Sequence, residues 1–124
     1  MDVTPLIPAG RQVIDSYGAH SFHVSGAGFG GAILVFPDKT VSWPVTALAD
    51  VTAESLRPVI EHGGVEILLL GLGRSTSAVP AALRIALRTA GIALEAMDTG
   101  AACRTYNVLV AEDRRVAAAL IPPA

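Results

Sequence analysis

The segment 95–116 reads EAMDTGAACRTYNVLVAEDRRV and orders four elements in a row: a strand end, a capped helix, a charged turn and a closing strand. Thr99 is a favoured capping residue type at the start of this helix. The turn over Glu112–Arg114 leads into a strand predicted over Arg115–Ile121, whose direction stays open because the turn is short. On the helix, the residues expected to face inward are Ala102, Tyr106, Leu109 and Val110.

Upstream of this segment the chain alternates strands and helices. Val65–Leu70 is a continuous apolar run with one charge, which is typical of a central strand buried on both faces. Ile92–Met97 is the next strand, and the helix between the two carries one apolar stripe, so the two strands are expected to be parallel. A further helix is predicted from Thr52 to His62, with a late start, a kink or a 3₁₀ turn at Pro58.

The first half of the chain has the pattern of short strands and turns that is typical of antiparallel hairpins. Short strands are predicted at Gln12–Tyr17, His20–Val24, Ala32–Phe36 and Val41–Val45. The glycine-rich residues 26–31 read as a flexible connection, and residues 1–9 as an irregular lead-in. The predicted fold class is therefore α/β: one domain over residues 1–124, in which N-terminal antiparallel hairpins are followed by β-α-β-α-β with a central mixed sheet that helices cover.

Composition excludes several classes of protein. A length of 124 residues accommodates one domain, and 52% hydrophobic residues predict elements that are buried on at least one face. No uninterrupted apolar run approaches the roughly 18 residues needed to span a bilayer. The start, Met1–Pro5, lacks the basic region of a signal peptide, so the expected location is the cytoplasm. So small and apolar a chain is compatible with a homodimer.

The distribution of charged residues argues against a nucleic-acid partner, and the cysteine and histidine residues argue against a metal site. The net charge is −2, and the nine basic residues are spread along the chain rather than gathered into a stripe. The single Cys103 excludes an internal disulfide. His20 and His23 lie in a predicted strand whose geometry turns their side chains to opposite faces. The sequence therefore predicts no metal, no cofactor and no nucleic-acid partner.

Many of these residues also carry a family resemblance. The chain after residue 10 resembles a family of small domains of unknown function, at Tyr17, Phe22, Gly26, Trp43, Leu69–Gly73, Glu95, Met97–Thr99, Ala102, Tyr106, Asn107, Leu109, Glu112, Arg114 and Val116–Leu120. The family includes archaeal and bacterial hypothetical proteins, the mitochondrial assembly factor 3 of the respiratory complex I alpha subcomplex, and the adipogenesis-associated domain-containing protein. The resemblance implies a three-layer domain on a central mixed sheet, without established catalytic residues. Asp113 stands where the pattern has glycine, and aspartate tolerates left-handed backbone geometry moderately well.

The loop after the central strand is one candidate site. Gly71 and Gly73 offer backbone N–H groups, Arg74 a charge, and Ser75 and Thr76 hydroxyls. A loop at the carboxyl end of a strand and ahead of a helix N-terminus favours an anion. The alternative is a tight turn followed by a serine or threonine helix cap. The loop has neither the lysine of a Walker motif nor the full glycine pattern of a dinucleotide site.

Five further residues each have a functional and a structural interpretation. Cys103, in the first turn of its helix, is either a reactive thiol or core filler. Arg104, Tyr106 and Asn107 are candidates to bind a ligand together with the loop. Alternatively, Tyr106 packs in the core with its hydroxyl bonded, and Asn107 satisfies nearby backbone groups. Trp43 is either an exposed interaction anchor or part of the hairpin packing.

Three functions follow from these candidates. The leading hypothesis is a non-enzymatic accessory domain that binds protein partners and, by the resemblance, assists the assembly of a respiratory or other membrane complex. The second is a small-molecule or anion-binding domain that uses the loop Gly71–Ser77. The third is a thiol-dependent enzyme that uses Cys103.

Overall fold

The chain forms a mixed α/β fold in a computed structural model that describes residues 10–75 and 78–123. Its helices are α1 (Arg57–His62), α2 (Ala81–Thr89) and α3 (Thr99–Ala111). In chain order, its strands are β1 (Ile14–Tyr17), β2 (Ser21–Val24), β3 (Ala27–Gly30), β4 (Ile33–Val35), β5 (Thr40–Ser42), β6 (Ile67–Leu72), β7 (Ala93–Met97) and β8 (Val116–Ile121). The predicted lead-in over residues 1–9 lies outside the described residues, as do Thr76 and Ser77.

A five-stranded mixed sheet forms the centre of the fold, in the order β5-β4-β8-β6-β7. β6 pairs in parallel with both β7 and β8, which confirms the predicted parallel pair across α2. β8 pairs antiparallel with β4, and β4 with β5. The closing strand, whose direction the sequence left open, therefore lies between a parallel and an antiparallel neighbour.

Alternation along the central strands divides the apolar residues between two cores. In β6, Leu68 and Leu70 face the core that includes Val59 of α1 and Leu87 of α2, which we call the first core. Leu69 faces the opposite way, into the core that α3 and the strands β1 and β2 complete, which we call the second core. Every residue of β6 is buried except Ile67, which lies at the start of the strand and is half-buried. The result is the predicted three-layer arrangement, with helices α1 and α2 on one face and α3 on the other.

A second, three-stranded antiparallel sheet covers the far side of the second core, in the order β1-β2-β3. The predicted strands at its start are confirmed, and Phe22 and Val24 are both buried, as their shared face requires. The flexible connection predicted over residues 26–31 is wrong, because Ala27–Gly30 forms strand β3 and pairs with β2 along its length. Pairing with a neighbouring strand thus outweighs the low strand propensity of glycine here.

Local interactions of single residues explain where α1 begins and how the chain turns after α3. α1 begins only at Arg57, next to Pro58, which confirms the predicted late start. Thr52 instead accepts a hydrogen bond from the Ser55 N–H at 3.1 Å, within the turn that precedes the helix. After α3, Asp113 adopts φ 57°, so aspartate does take up the left-handed geometry of the turn.

Candidate functional site

Three parallel strands end side by side at one edge of the central sheet. β6 runs into Gly73, β7 into Asp98, and β8 into Pro122 and Pro123. In open α/β sheets, ligands bind preferentially outside the carboxyl ends of such strands. A cavity of about 340 Å³ lies at this edge, and we call it the strand-end cleft; it is lined by Tyr17, Gly73, Arg74, Asp98, Gly100, Arg104 and Pro123.

Thr99 joins the strand ends beside this cleft. Its hydroxyl donates a hydrogen bond to the Ile121 carbonyl and accepts one from the Gly73 N–H at 2.8 Å. Its backbone N–H donates to the Gly73 carbonyl, also at 2.8 Å. Thr99 is fully buried, so these bonds are shielded from water. One threonine thereby fixes the ends of β6 and β8 against the first turn of α3.

The helix cap at this site is Asp98, one residue earlier than predicted. Its Oδ1 accepts a hydrogen bond from the Ala101 N–H at 2.9 Å, and its backbone is extended. The prediction that Thr99 is the cap is wrong, because Thr99 is the first helical residue and its side chain is committed to the strand ends. Both residue types cap helices well, so the sequence alone could not separate them.

Three polar side-chain atoms converge above Gly100 in the first turn of α3. A Cβ atom added to this glycine would lie 2.5 Å from the Tyr17 hydroxyl, and 3.3 Å from both Arg104 Nη1 and Asp98 Oδ1. Glycine costs about 1 kcal/mol relative to alanine inside a helix. Its presence in α3 is explained here by the close approach of the Tyr17 hydroxyl.

The charges around the cleft are unbalanced. Arg74 and Arg104 are exposed, and within the described residues neither forms an ion pair. Among the described residues that line the cleft, Asp98 is the only carboxylate. Two guanidinium groups therefore face one carboxylate, on a chain whose net charge is −2.

The cleft contains only some of the residues predicted from the loop. Gly73 and Arg74 line it, whereas Gly71 lies inside β6 and not in the loop. Ser75 donates its backbone N–H to the Leu72 carbonyl at 3.1 Å, and Thr76 lies outside the described residues. The prediction that a helix N-terminus completes the loop is wrong, because α2 begins only after Pro80. The loop instead contacts α3, through the hydrogen bond from the Thr99 N–H to the Gly73 carbonyl.

Of the predicted residues on α3, Arg104 alone lines the cleft. Asn107 instead pairs with β1, since its Oδ1 accepts from the Ile14 N–H at 3.0 Å and its Nδ2 donates to the Ile14 carbonyl at 2.8 Å. Tyr106 is fully buried and donates its hydroxyl to the Gln12 carbonyl at 3.1 Å. Burial raises the pKa of the Tyr106 hydroxyl well above its ordinary value. Both side chains therefore take the structural interpretation: Asn107 fastens β1 to α3, and Tyr106 fastens the residues just before β1.

A neighbouring cavity of about 330 Å³ shares Tyr17 and Arg104 with the cleft and is also lined by Cys103. The Cys103 side chain is buried among the second core. Burial raises the pKa of its thiol to about 12, outweighing the opposite effect of the Arg104 guanidinium. A thiol so rarely ionised is a poor nucleophile at neutral pH, so this geometry disfavours thiol chemistry.

Trp43 does not offer an exposed anchor. Only 3% of its surface is accessible, and its indole N–H donates to the Ser55 carbonyl at 2.8 Å. The side chain packs in the first core. Of the two interpretations of Trp43, hairpin packing is the one that the structure supports.

Sequence reasoning missed four of the lining residues, because their approach to Arg74 depends on the sheet topology: Tyr17, Asp98, Gly100 and Pro123. The one local signal was Gly100, a poor helix former in the first turn of a helix. Within the described ranges, no group of three or more metal-ligating side chains is placed to hold an ion. Over the same residues, no helix combines the length and apolarity needed to cross a bilayer.

Residues 14–121 match a protein family described as a protein of unknown function, DUF498/DUF598. The chain belongs to this family. An uncharacterized protein from Rhodobacter capsulatus is 39% identical over 114 residues, which cover 92% of this chain and 87% of the relative. These matches confirm the resemblance found in the sequence.

A second relative of this DUF498/DUF598 chain bears a functional name. The zebrafish (Danio rerio) protein named NADH dehydrogenase (ubiquinone) 1 alpha subcomplex assembly factor 3 is 38% identical over 112 residues. The match covers 90% of this chain but 64% of the zebrafish protein, so the chain spans less than two thirds of that relative's length.

The fold is shared with a solved structure. A Mth938-like domain from Bordetella pertussis, determined in solution by NMR, has a TM-score of 0.85 at 30% identity, covering 100% of this chain and 94% of that domain. This similarity confirms the predicted fold class.

Proposed function

We propose that this chain is an accessory domain that binds a protein partner during assembly of a respiratory NADH dehydrogenase. The observation that carries the proposal is the 38% identity, over 90% of the chain, to an assembly factor of the NADH dehydrogenase alpha subcomplex. The accessory role that the sequence suggested is therefore the leading assignment.

The chemistry of the strand-end cleft supports binding over catalysis. Its prominent side chains are Tyr17, Arg74 and Arg104, and tyrosine and arginine are enriched among the residues that dominate binding energy at protein interfaces. Tyr17 is also one of the large apolar side chains that remain exposed, at 41%. Cys103, the nucleophile of the enzymatic alternative, is buried with a raised pKa.

The test is deletion of the gene in its own cells. Membranes of the deletion strain are resolved by native electrophoresis, and assembled NADH dehydrogenase is measured by in-gel activity. We expect the assembled enzyme to fall and to return when the wild-type gene is supplied on a plasmid. Succinate dehydrogenase in the same membranes serves as the control and should not change. An unchanged amount of assembled NADH dehydrogenase in the deletion strain would show the proposal to be wrong.

A further inference from the structure

We propose that the strand-end cleft binds the side-chain carboxylate of one aspartate or glutamate in a segment of the partner protein. This inference rests on the proposed function and specifies the chemistry of the partner. It is carried by Tyr17, Arg74 and Arg104, which line the cleft together, and by the approach of the Tyr17 hydroxyl and Arg104 Nη1 to the same position above Gly100.

The first argument is charge complementarity. Arg74 and Arg104 have no ion pair within the described residues, although the chain as a whole carries a net charge of −2. A cleft with two unpaired guanidinium groups is therefore a local positive site on a negative protein. Guanidinium forks match carboxylates with two parallel hydrogen bonds, which adds geometric specificity to the attraction.

The second argument concerns the charge of the ligand. Asp98 also lines the cleft, and its Oδ1 lies 3.3 Å from the Cβ position above Gly100, as does Arg104 Nη1. Counted over the described residues that line the cleft, two guanidinium groups and this carboxylate leave about one net positive charge, and the carboxylate repels a further anion that comes close. A monoanionic carboxylate balances such a site, whereas a phosphate dianion would meet repulsion from Asp98.

The third argument concerns the source of the carboxylate. Tyr17 lines the cleft and is 41% exposed, and an exposed tyrosine beside arginines is a typical anchor for a protein partner. The neighbouring cavity continues past Tyr17 along β1 and α3, so an extended segment has further surface to follow. A free metabolite would not use this continuation.

A comparison within the molecule supports the choice of cleft. At the opposite end of the sheet, a cavity of about 300 Å³ is also lined by arginines. There, however, Arg11 already pairs with Asp113 at 2.7 Å, and Arg115 with Glu66 at 3.7 Å. Of the three arginines that line that cavity, Arg114 alone has no ion pair within the described residues, whereas neither arginine of the strand-end cleft has one.

The first test titrates the ¹⁵N-labelled protein with N-acetyl-glutamate α-amide, which presents one glutamate side-chain carboxylate. N-acetyl-glutamine α-amide is the uncharged control, and inorganic phosphate is the competing anion. We expect saturable shifts of the Gly73 and Gly100 amides with the glutamate compound only. Arg74→Ala and Arg104→Ala should each weaken this binding by at least about tenfold, because each removes a hydrogen bond between charged groups.

Arg88→Ala is the matched control, since Arg88 is an exposed arginine on α2 away from the cleft. Unchanged spectra elsewhere in each variant show that the fold is intact. Equal shifts with the glutamine compound, tighter binding of phosphate at Gly73 and Gly100, or no shift at all would each overturn the inference.

The second test uses the deletion strain. The Arg74→Ala/Arg104→Ala double variant should fail to restore assembled NADH dehydrogenase, whereas Arg88→Ala should restore it. If the double variant restores the enzyme as wild type does, the inference is overturned while the proposed function stands. If the deletion strain has normal enzyme but the carboxylate shifts are present, only the proposed function is overturned.

Discussion

At the scale of single residues, Thr99 has a greater structural role than its position as a helix residue suggests. Its hydroxyl serves the Gly73 N–H and the Ile121 carbonyl at once, in a place without access to water. The geometry of the strand-end cleft depends on this side chain, although Thr99 does not line the cleft itself.

Replacing Thr99 by valine should therefore destabilise the protein without changing its shape. Thr99→Val leaves a buried N–H and a buried carbonyl unpaired, which costs about 1–3 kcal/mol. Urea titration followed by circular dichroism measures the free energy of unfolding. Thr89→Val is the control, because that hydroxyl bonds the Ile85 carbonyl on an exposed helix face and its loss should cost less than about 0.5 kcal/mol. Equal costs for the two variants would contradict the assigned role.

Gly71 makes a similar prediction about close packing. A Cβ atom at this position would lie 3.0 Å from Leu120 Cδ2 and 3.1 Å from both Thr99 Cα and Thr99 Oγ1. Gly71→Ala should lower the free energy of unfolding by about 1–3 kcal/mol, because overpacking forces neighbours to shift. Gly30→Ala, in strand β3 with nothing within 4 Å of its Cβ position, should change it by less than about 0.5 kcal/mol. The same urea titration decides, and a neutral Gly71→Ala would refute the close contact.

Cys103 yields a prediction about pH. With a thiol pKa of about 12 instead of the ordinary 9.0, the folded protein should react with iodoacetamide on the order of 10³-fold more slowly than a free cysteine. In urea the rate should rise to that of an exposed thiol. Because the unfolded chain ionises first, the free energy of unfolding should fall as pH rises above 9.0 toward 12. Rapid alkylation of the folded protein would restore the thiol-enzyme hypothesis.

At the scale of elements, the attachment of β1 to α3 depends on one asparagine. β1 is an edge strand of its sheet. The Asn107 amide both accepts from and donates to the Ile14 backbone, as a neighbouring strand would. This attachment also places Tyr17, at the end of β1, over Gly100. The position of one side of the cleft is thus determined by a side chain two turns away on α3.

Asn107→Ala should loosen the three-stranded sheet selectively. Losing both bonds to Ile14 should speed hydrogen exchange of the β1–β2 amides by about fivefold or more, and by more than it speeds exchange in β6 and β8. Val108→Ala, at the next residue and 56% exposed, is the control and should leave the rates unchanged. Exchange measured by NMR decides the matter. A uniform increase over both sheets would show that Asn107 stabilises the whole domain and not β1 in particular.

Most elements could be predicted from the sequence because their apolar patterns are strong. The run Val65–Leu70 predicted the central strand, and Pro58 predicted the late start of α1. Strand β3 was missed, since its glycines carry no strand signal and its pairing with β2 is decided by the turn before it. No local sequence pattern predicts the order of the strands in the sheet. The direction of β8 and the approach of Tyr17 to Arg104 depend on that order, so they could not be predicted.

At the scale of the whole molecule, the two cores share one sheet. Successive residues of β6, Leu68 and Leu69, face opposite cores, so loosening one side must disturb the strand that supports the other. This arrangement predicts a single cooperative unfolding transition, as expected if residues 1–124 behave as one domain.

The single tryptophan tests this coupling. Trp43 lies in the first core and Val110 in the second. Val110→Ala should lower the free energy of unfolding by about 1–3 kcal/mol. It should shift the urea transition reported by Trp43 fluorescence together with the one reported by far-ultraviolet circular dichroism. Separate midpoints for the two signals would mean that the cores unfold independently.

The central place of β8 has a consequence for biosynthesis. β4 and β5 form one hairpin and β6 and β7 one parallel pair, and the gap between them is filled only by Val116–Ile121. While the nascent chain emerges from the ribosome, both pairs therefore present an open edge toward that gap. Open edges attract strands of other chains. The domain is thus most exposed to misassembly just before its last described strand clears the exit tunnel, which is when a chaperone would be of most use to it.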